Sequence, residues 1–591
     1  MTKIFTLTYG KRLLFIISCF VAIIGLIMVQ LFVLMVVNRD RLQNEGNNRS
    51  VRNLPIESYR GSIVDRFGNP LAVSTQMAAL WYDGKFIDPD DERWEQVADI
   101  LDLDFIELRN KLEQDKNKQA RYVYLKRAVR PHQARQIMDL KLTKLPARIS
   151  ADEASKLSAK NIKAILGQKI AGLSVKAEYK RFYPTKELIA PVVGITDIDD
   201  IGKSGIEYTY NNWLKGKDGK LKVERDLKNR LIDLEQVVEP EEQGKDLTLS
   251  IDMRLQHMAM RELQNKVDEY QAKSGIVLIA DVKTAEILAM ANYPTYNPNN
   301  RNQIDANNMR NRAVTDMFEI GSTAKPLSML AVLKSGKWPA DKIVDVYPFK
   351  LELDGYTIED TTRHNGNKLD LATILVNSSN VGMSKVALVV GAEPIYQVMR
   401  KFGLGTFGLG FVGETLGSVP YHSRKWAQSE IATLSFGYGV ATNAVQLLQA
   451  YVTIAAEGNY LPLTLIKRES NQAAEQIFDA DIVRQLKKML QNVVEHPRGT
   501  VLARIPGYTV AGKSGTSRVH VGSGYSNARH NSLYVGFAPV KESRYAVLVV
   551  INEAVPKSGD KVAFGGKYAA PLFNKVMGET LRLMNVPVSK K

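Results

Sequence analysis

The sequence predicts an α+β fold, with one antiparallel sheet carrying helices on both faces, a separate α+β segment before it, and one apolar helix at the N-terminus. Three observations predict it. Residues 13–37 are almost uninterrupted hydrocarbon, broken only by Ser18, Gly25 and Gln30. From Gly244 onward the patterning places strands first, helices in the middle and strands last. At 591 residues the chain exceeds what one core supports, so the part before Gly244 has its own.

The apolar run 13–37 reaches about 37 Å as a helix, enough to cross a bilayer. No small-residue cleavage site precedes Asn38, so it is expected to be a retained anchor rather than a signal peptide. Lys3, Lys11 and Arg12 before it favour a cytoplasmic end at 1–12. Arg39, Arg41, Arg49 and Arg52 follow it, so charge alone does not fix the orientation. Residues 38–55 are polar and asparagine-rich, a spacer.

Residues 60–72 read as strand, turn and strand, and 90–166 as mostly helical with a short strand at 121–126. Strands are expected at 173–183 and 192–195, and an extended hairpin between 214 and 242. Nothing in this half forms a catalytic constellation. Beyond Gly244, strands are expected at 246–251, 274–281 and 286–290, with a helix at 254–270. Helices follow at 371–377, 383–390, 394–402, 444–457 and 480–494. Strands return at 508–513, 532–537 and 545–551 before a closing helix at 571–584.

Composition narrows the chemistry. The net charge of +16 favours anionic neighbours without choosing among them, and no zinc spacing or RNA-binding aromatic signature promotes nucleic acid. With Cys19 as the one cysteine, no intramolecular disulfide exists, and the seven scattered histidines offer no metal-ligand pair at helical spacing. Neither a metal nor a cofactor is expected.

In residues 318–327 a helix opening near Ser322 sets its hydroxyl and the Lys325 amine on one face. The apolar run 327–333 buries that helix, and a buried neutral lysine could deprotonate the serine. The competing reading makes Ser322 a helix cap and Lys325 a solvated side chain. Ser558 and Lys561 repeat the spacing in a polar loop. Ser378-Ser379-Asn380, between two apolar helices, reads either as routine caps or as a loop where Ser378 relays a proton and Asn380 offers an amide to substrate. Lys-Ser-Gly occurs at Lys203, Lys273, Lys334, Lys513 and Lys557, but only at Lys513 does it continue into threonine. There Lys513 would hold a carboxylate, Gly515 would let substrate approach the backbone, and the N–H of Thr516 could join that of Ser322 around an oxyanion.

Residues 507–514 also spell G-x-x-x-x-G-K-S, a phosphate-loop pattern. Such a loop must open a helix, whereas Gly515, Val519, Gly522 and Gly524 follow here.

Ser322-x-x-Lys325, Ser378-x-Asn380 and Lys513-Ser514-Gly515, in that order, resemble the signature of penicillin-recognising serine acyltransferases. Residues 60–72, Arg181-Phe182-Tyr183-Pro184, Gly205-Ile206-Glu207, Asn297-Pro298-Asn299 and Phe436-Gly437-Tyr438-Gly439 resemble a class B penicillin-binding protein, and residues 378–382 its septal, cell-division type. Ser514 stands where threonine is commoner and Ile320 where proline is frequent.

The resemblance implies a transmembrane helix at 13–37, a linker at 38–55, an elongated non-catalytic pedestal at 56–244, a transpeptidase domain at 245–585 and a polar tail at 586–591. It implies a single-pass protein of the bacterial inner membrane with its catalytic domain in the periplasm. It also implies D,D-transpeptidation of peptidoglycan stem peptides ending in D-Ala-D-Ala, through an acyl-enzyme on Ser322 with Lys325 as base. Ser378, Asn380 and Lys513 complete the catalytic set, with Ser514, Gly515 and Thr516 binding substrate and oxyanion. β-Lactams would acylate the same serine, and the anchor and pedestal would dock a membrane glycan polymerase and other division proteins. An elongation-type transpeptidase and a β-lactam-sensing receptor remain as alternatives. The glycine-rich loop 521–531 reads either as a mobile rim of the cleft or as a plain hairpin loop.

Overall fold

The N-terminal apolar run forms a helix, α1 (Thr2–Phe32), continued by one wider turn (Val33–Val37). From Tyr9 to Val37 it is long and apolar enough to cross a membrane. The computed structural model describes all residues except 1, 43–44, 46–50, 142–160, 162–163, 165–166, 226–230, 340–341, 362–365, 422–423, 471, 522–523 and 589–591.

Chain contacts divide the protein into two units, Met1–Tyr59 with Gly216–Gly244, and Arg60–Lys215 with Lys245–Lys591. In the first, strands Val51–Ile56, Gly219–Arg225 and Leu231–Glu239 form an antiparallel sheet, which realises the hairpin expected between 214 and 242.

In the second unit, β1 (Ile63–Val64) and β2 (Pro70–Tyr82) are joined by a turn at 65–69. Asp65 Oδ1 accepts the N–H groups of Phe67 and Asn69 at 2.9 and 2.8 Å, which sets that turn. β2 pairs with β3 (Val123–Val129) and β4 (Leu173–Phe182), and β1 runs parallel to β5 (Leu247–Thr248). Helices α2 (Arg93–Leu101), α3 (Phe105–Asn117) and α4 (Pro131–Met138) cover this sheet around a core containing Leu80, Tyr82, Trp94 and Leu112. The rest of the expected helical stretch, 142–160, lies outside the described residues.

The larger sheet has strand order β7-β6-β10-β9-β8, all antiparallel, with β6 (Ser274–Asp281), β7 (Ile287–Tyr293), β8 (Ala511–Val521), β9 (Gly524–Ala538) and β10 (Tyr545–Ala554). Every residue of β6 is buried, because helices cover both faces. One face packs on α5 (Met253–Glu269) and the C-terminal helix Ala570–Leu583 through Val277, Ile279 and Val549. The other packs, through Leu278, Leu548 and Val535, on α6 (Lys325–Ser335), α7 (Leu371–Asn377), α8 (Asn380–Val390) and, further along the chain, α9 (Ala444–Ala455) and α10 (Ala480–Glu495). Register carries this face to the sheet edge: Leu278 pairs with Leu548, Leu548 with Val535, and Val535 with Lys513. Lys513 therefore points toward the face covered by α6.

Three expectations are corrected. Residues 192–195 are not a strand but part of a one-turn helix, Ala190–Val193. A short buried apolar run reads alike in either form, and Pro191 in the first turn favours the helix. The strand expected at 246–251 shrinks to Leu247–Thr248. The one expected from Tyr508 starts only at Ala511, after a turn at Gly507, whose φ is +81°. In the glycine-rich stretch 521–531, Val521 pairs with Gly524, so the described residues extend the hairpin of β8 and β9. A helix at Gln428–Ser435, with Glu430 Oε2 accepting the Ala427 N–H at 2.9 Å, was not anticipated.

Candidate active site

Ser322 does not cap a helix. It sits in a 3₁₀ turn, Gly321–Ala324, and the α-helix begins at Lys325. In a 3₁₀ turn, side chains three apart eclipse, so serine and lysine stand one above the other. The turn is wedged between two backbones. Gly321 has φ +49°, and a methyl group there would lie 3.0 Å from Thr516 O and 3.8 Å from Thr516 N. One on Gly437, at φ +82°, would lie 2.3 Å from Gly321 O. Tyr451, buried on α9, donates its hydroxyl to Thr323 O at 3.0 Å.

Lys325 is fully buried. Its Nζ donates to Ser378 O at 2.5 Å and to Asn380 Oδ1 at 2.8 Å, and lies 3.3 Å from Ser378 Oγ. Lys513 is 1% exposed; its Nζ donates to the same Ser378 Oγ at 3.0 Å and to Ser514 O at 3.1 Å. Two buried amines thus meet at one hydroxyl. Burial pushes the Lys325 amine well below the ordinary lysine range; the nearby Lys513 charge pushes it the same way, and Asp360 opposes both. Burial alone brings Lys513 down to about 7.

The caps expected at 378–380 are present, but divided among the residues. Ser378 ends α7 in the left-handed conformation, at φ +54°, and Ser379 caps α8 by accepting the Gly382 N–H at 2.8 Å. Ser379 does the capping, which leaves the side chains of Ser378 and Asn380 to Lys325. Asp360, not singled out in the sequence, fixes the loop. Its Oδ1 accepts the N–H groups of Asn380 (2.6 Å) and Val381 (2.9 Å), and its Oδ2 accepts the Ser379 hydroxyl (2.7 Å). Only its contacts mark it, since in sequence it is one aspartate among many.

On β8, Ser514 and Thr516 project on the face opposite Lys513, and Thr516 Oγ1 accepts the Gly565 N–H at 3.0 Å. Gly515 has a packing reason to be glycine beside the expected substrate access. A methyl group there would meet Ile320 O and Thr323 Cγ2, each at 2.9 Å, so the catalytic turn itself fills that space. The other four Lys-Ser-Gly lysines are exposed, as is Ser558. The phosphate-loop pattern runs straight into β8, and no helix opens at Ser514. Among the described residues, no group of three or more His, Cys, Asp or Glu side chains is placed to hold a metal ion.

A serine three residues ahead of a buried lysine, around which a Ser-x-Asn loop and a second buried lysine close, is the equipment of serine acyltransferases that work without imidazole. The chain belongs to the class B penicillin-binding proteins. The penicillin binding protein transpeptidase domain matches residues 275–578, and the penicillin-binding protein dimerisation domain matches 55–249. Its curated relatives include a probable peptidoglycan D,D-transpeptidase, PbpC, of Pseudomonas aeruginosa, 38% identical over 98% of this chain and 96% of that protein. Another is the peptidoglycan D,D-transpeptidase FtsI of Escherichia coli K12, 34% identical over 96% and 91%. Among solved structures, a peptidoglycan synthetase from Bifidobacterium adolescentis superposes with a TM-score of 0.69 at 25% identity, over 92% of this chain and 98% of that one. The transpeptidase domain of Burkholderia pseudomallei penicillin-binding protein 3 gives 0.52 at 32% identity, over 58% and 98%.

Proposed function

We propose that the chain is a peptidoglycan D,D-transpeptidase of the septal, cell-division type, working through an acyl-enzyme on Ser322. The observation that carries this reading is the convergence of Lys325 and Lys513 on the Ser378 hydroxyl, with Asn380 Oδ1 holding Lys325, from segments far apart in sequence. A neutral Lys325 has two N–H groups, spent on Ser378 O and Asn380 Oδ1, and one lone pair left for a proton. Ser322 Oγ attacks the penultimate D-Ala carbonyl, and its proton passes to Lys325. The oxyanion is held by the N–H groups of Ser322 and Thr516. The tetrahedral species collapses by expelling the terminal D-Ala, whose amine takes the proton back through Lys325 and Ser378. An amine of a second stem peptide then attacks the ester, forms the cross-link and frees Ser322.

Lys513, as a cation, draws the substrate carboxylate to the edge of β8 by charge, and the Ser514 and Thr516 hydroxyls bind it from the other face of the strand. A β-lactam presents a strained amide and a carboxylate to the same groups and acylates Ser322. The apolar helix anchors the chain in the inner membrane with the catalytic unit in the periplasm. The anchor and pedestal serve as docking surfaces for a membrane glycan polymerase and other division proteins. The test is labelling of the full chain with a fluorescent penicillin, followed by mapping of the adduct. A single ester on Ser322, absent from Ser322→Ala, is expected; a label on Ser558, or none, defeats the mechanism.

A further inference from the structure

A second cavity, of about 1500 Å³, opens beside the sheet and excludes Ser322, Lys325, Ser378 and Lys513 from its lining. Its walls come from α10, the turn 504–510, the turn 539–544 between β9 and β10, and the tail 584–587. These walls are tied together without any ligand. Tyr508 Oη donates to Val586 O at 2.7 Å, Val540 N to Thr509 Oγ1 at 3.1 Å, and Arg504 Nε to Val494 O at 2.9 Å. A preformed cavity of this kind binds without first having to be assembled.

Its charge is one-sided, with seven Lys or Arg side chains against three Glu. The arginines are already committed: Arg484 to Glu457 and Asp481, Arg504 to the carbonyls of Val494 and Glu495, and Arg544 to Asp281. Lys487 is buried against Ala455 O and Glu457. Lys283, Lys488 and Lys541 line the cavity without an ion pair among the described residues. The groups without an ion pair among the described residues are therefore these three ammonium groups and the carboxylates of Glu495 and Glu542, and none of them is a guanidinium fork; with the hydrogen-bonded Arg504 the lining stays net basic. A planar carboxylate is matched by a fork, whereas a tetrahedral anion of higher charge is matched by point charges from several sides.

We propose that this cavity is a phosphate-binding site, separate from the acyl-transfer cleft, taking a diphosphate or phosphate ester. It is not a nucleotide loop. Although 507–510 lie in its wall, the chain continues from them into a strand and supplies no helix N-terminus.

The test uses the full chain in detergent, titrated calorimetrically with inorganic pyrophosphate at fixed ionic strength. Saturable binding is expected, weakened roughly tenfold or more in the combined variant Lys283→Gln, Lys488→Gln, Lys541→Gln, and falling as salt rises. Penicillin acylation of that variant should match the parent, which establishes that it is folded. A control carrying Lys118→Gln and Lys401→Gln, neither of which lines the cavity, should bind as the parent does. A parallel titration with farnesyl diphosphate separates the sources: tighter binding than pyrophosphate assigns the phosphate to a lipid carrier, and equal binding to a soluble ion. Absence of saturable binding to both probes, or binding unchanged in the triple variant, overturns the proposal.

Discussion

Asp360 Oδ2 accepts the Ser379 hydroxyl at 2.7 Å, and the same hydroxyl oxygen accepts the Gly382 N–H at 2.8 Å. A carboxylate beyond the three motifs thereby clamps the middle residue of one of them. Because the other oxygen of Asp360 holds the N–H groups of Asn380 and Val381, the whole Ser-x-Asn loop is hung from one side chain. Such bonds to a charged acceptor are each worth about 1.5–3 kcal/mol.

Replacing Asp360 by Asn separates the electrostatic role from the structural one. An amide retains one acceptor oxygen but loses the charge, and that charge opposes the fall in the Lys325 pKa. Its removal should therefore lower the Lys325 pKa further and move the acid limb of the acylation profile to lower pH. The penicillin acylation rate at its optimum should fall roughly tenfold to a hundredfold, as expected for a misplaced proton-transfer partner. The measurement is the second-order acylation rate against pH; an acid limb that stays in place, or moves up, would falsify the assignment.

Lys325 and Lys513 predict a bell-shaped pH dependence. Lys325 must be neutral to accept a proton, so acylation rises as pH climbs through its lowered pKa. Lys513 must be charged to hold a carboxylate, so acylation falls as pH passes about 7 in the free enzyme. Lys513→Arg keeps a permanent charge and should abolish the alkaline limb below pH 10, at reduced overall rate. Stability follows the same pKa values. Between about 7 and the ordinary lysine value of 10.5, the unfolded chain carries more protons at this position, so this contribution to stability rises with pH across that window. An alkaline limb unmoved in Lys513→Arg would remove Lys513 from carboxylate binding.

The order of strands and helices, the three catalytic segments and the anchor were legible because each rests on local pattern or on spacing. The helix at 371–377 matches to the residue, since Asp370 caps it and Ser378 stops it. What escaped depends on contacts between distant segments. The serine turn is 3₁₀ rather than α because Gly321 and Gly437 press backbone on backbone, which no periodicity records. Gly515 carried a visible signal, but the sequence does not show that the serine turn occupies the space where its side chain would stand. Lys-Ser-Gly at five places is separated in sequence only by the threonine that follows Lys513 and by chain order, whereas burial separates the copies at once.

Three residues of the phrases before Gly244 that carry the family resemblance, Arg60, Arg181 and Glu207, meet in one buried cluster. Glu207 Oε2 accepts Arg60 Nε and its Oε1 accepts Arg181 Nε, both at 2.6 Å, with all three side chains at most 1% exposed. Arg60 also donates to Glu207 O at 2.7 Å and Asn211 Oδ1 at 2.9 Å, and Arg181 to Ser74 Oγ at 3.1 Å. One carboxylate therefore serves two buried cations. Removing it takes the directly paired carboxylate from both and, among the described residues, leaves only Asp200 within electrostatic reach, at a cost of about 3–5 kcal/mol, whereas replacing all three residues by apolar ones of similar volume would cost far less. Glu207→Ala should thus lower the thermal midpoint of the full chain clearly, and Glu207→Gln by less, because an amide oxygen still accepts one guanidinium. The catalytic lysines make no hydrogen bond to this cluster, so penicillin acylation measured well below the midpoint should be unchanged in both variants. Equal midpoints for Glu207→Ala and the parent would show that the two arginines find other acceptors, and that the ion pairs do not hold this part of the fold together.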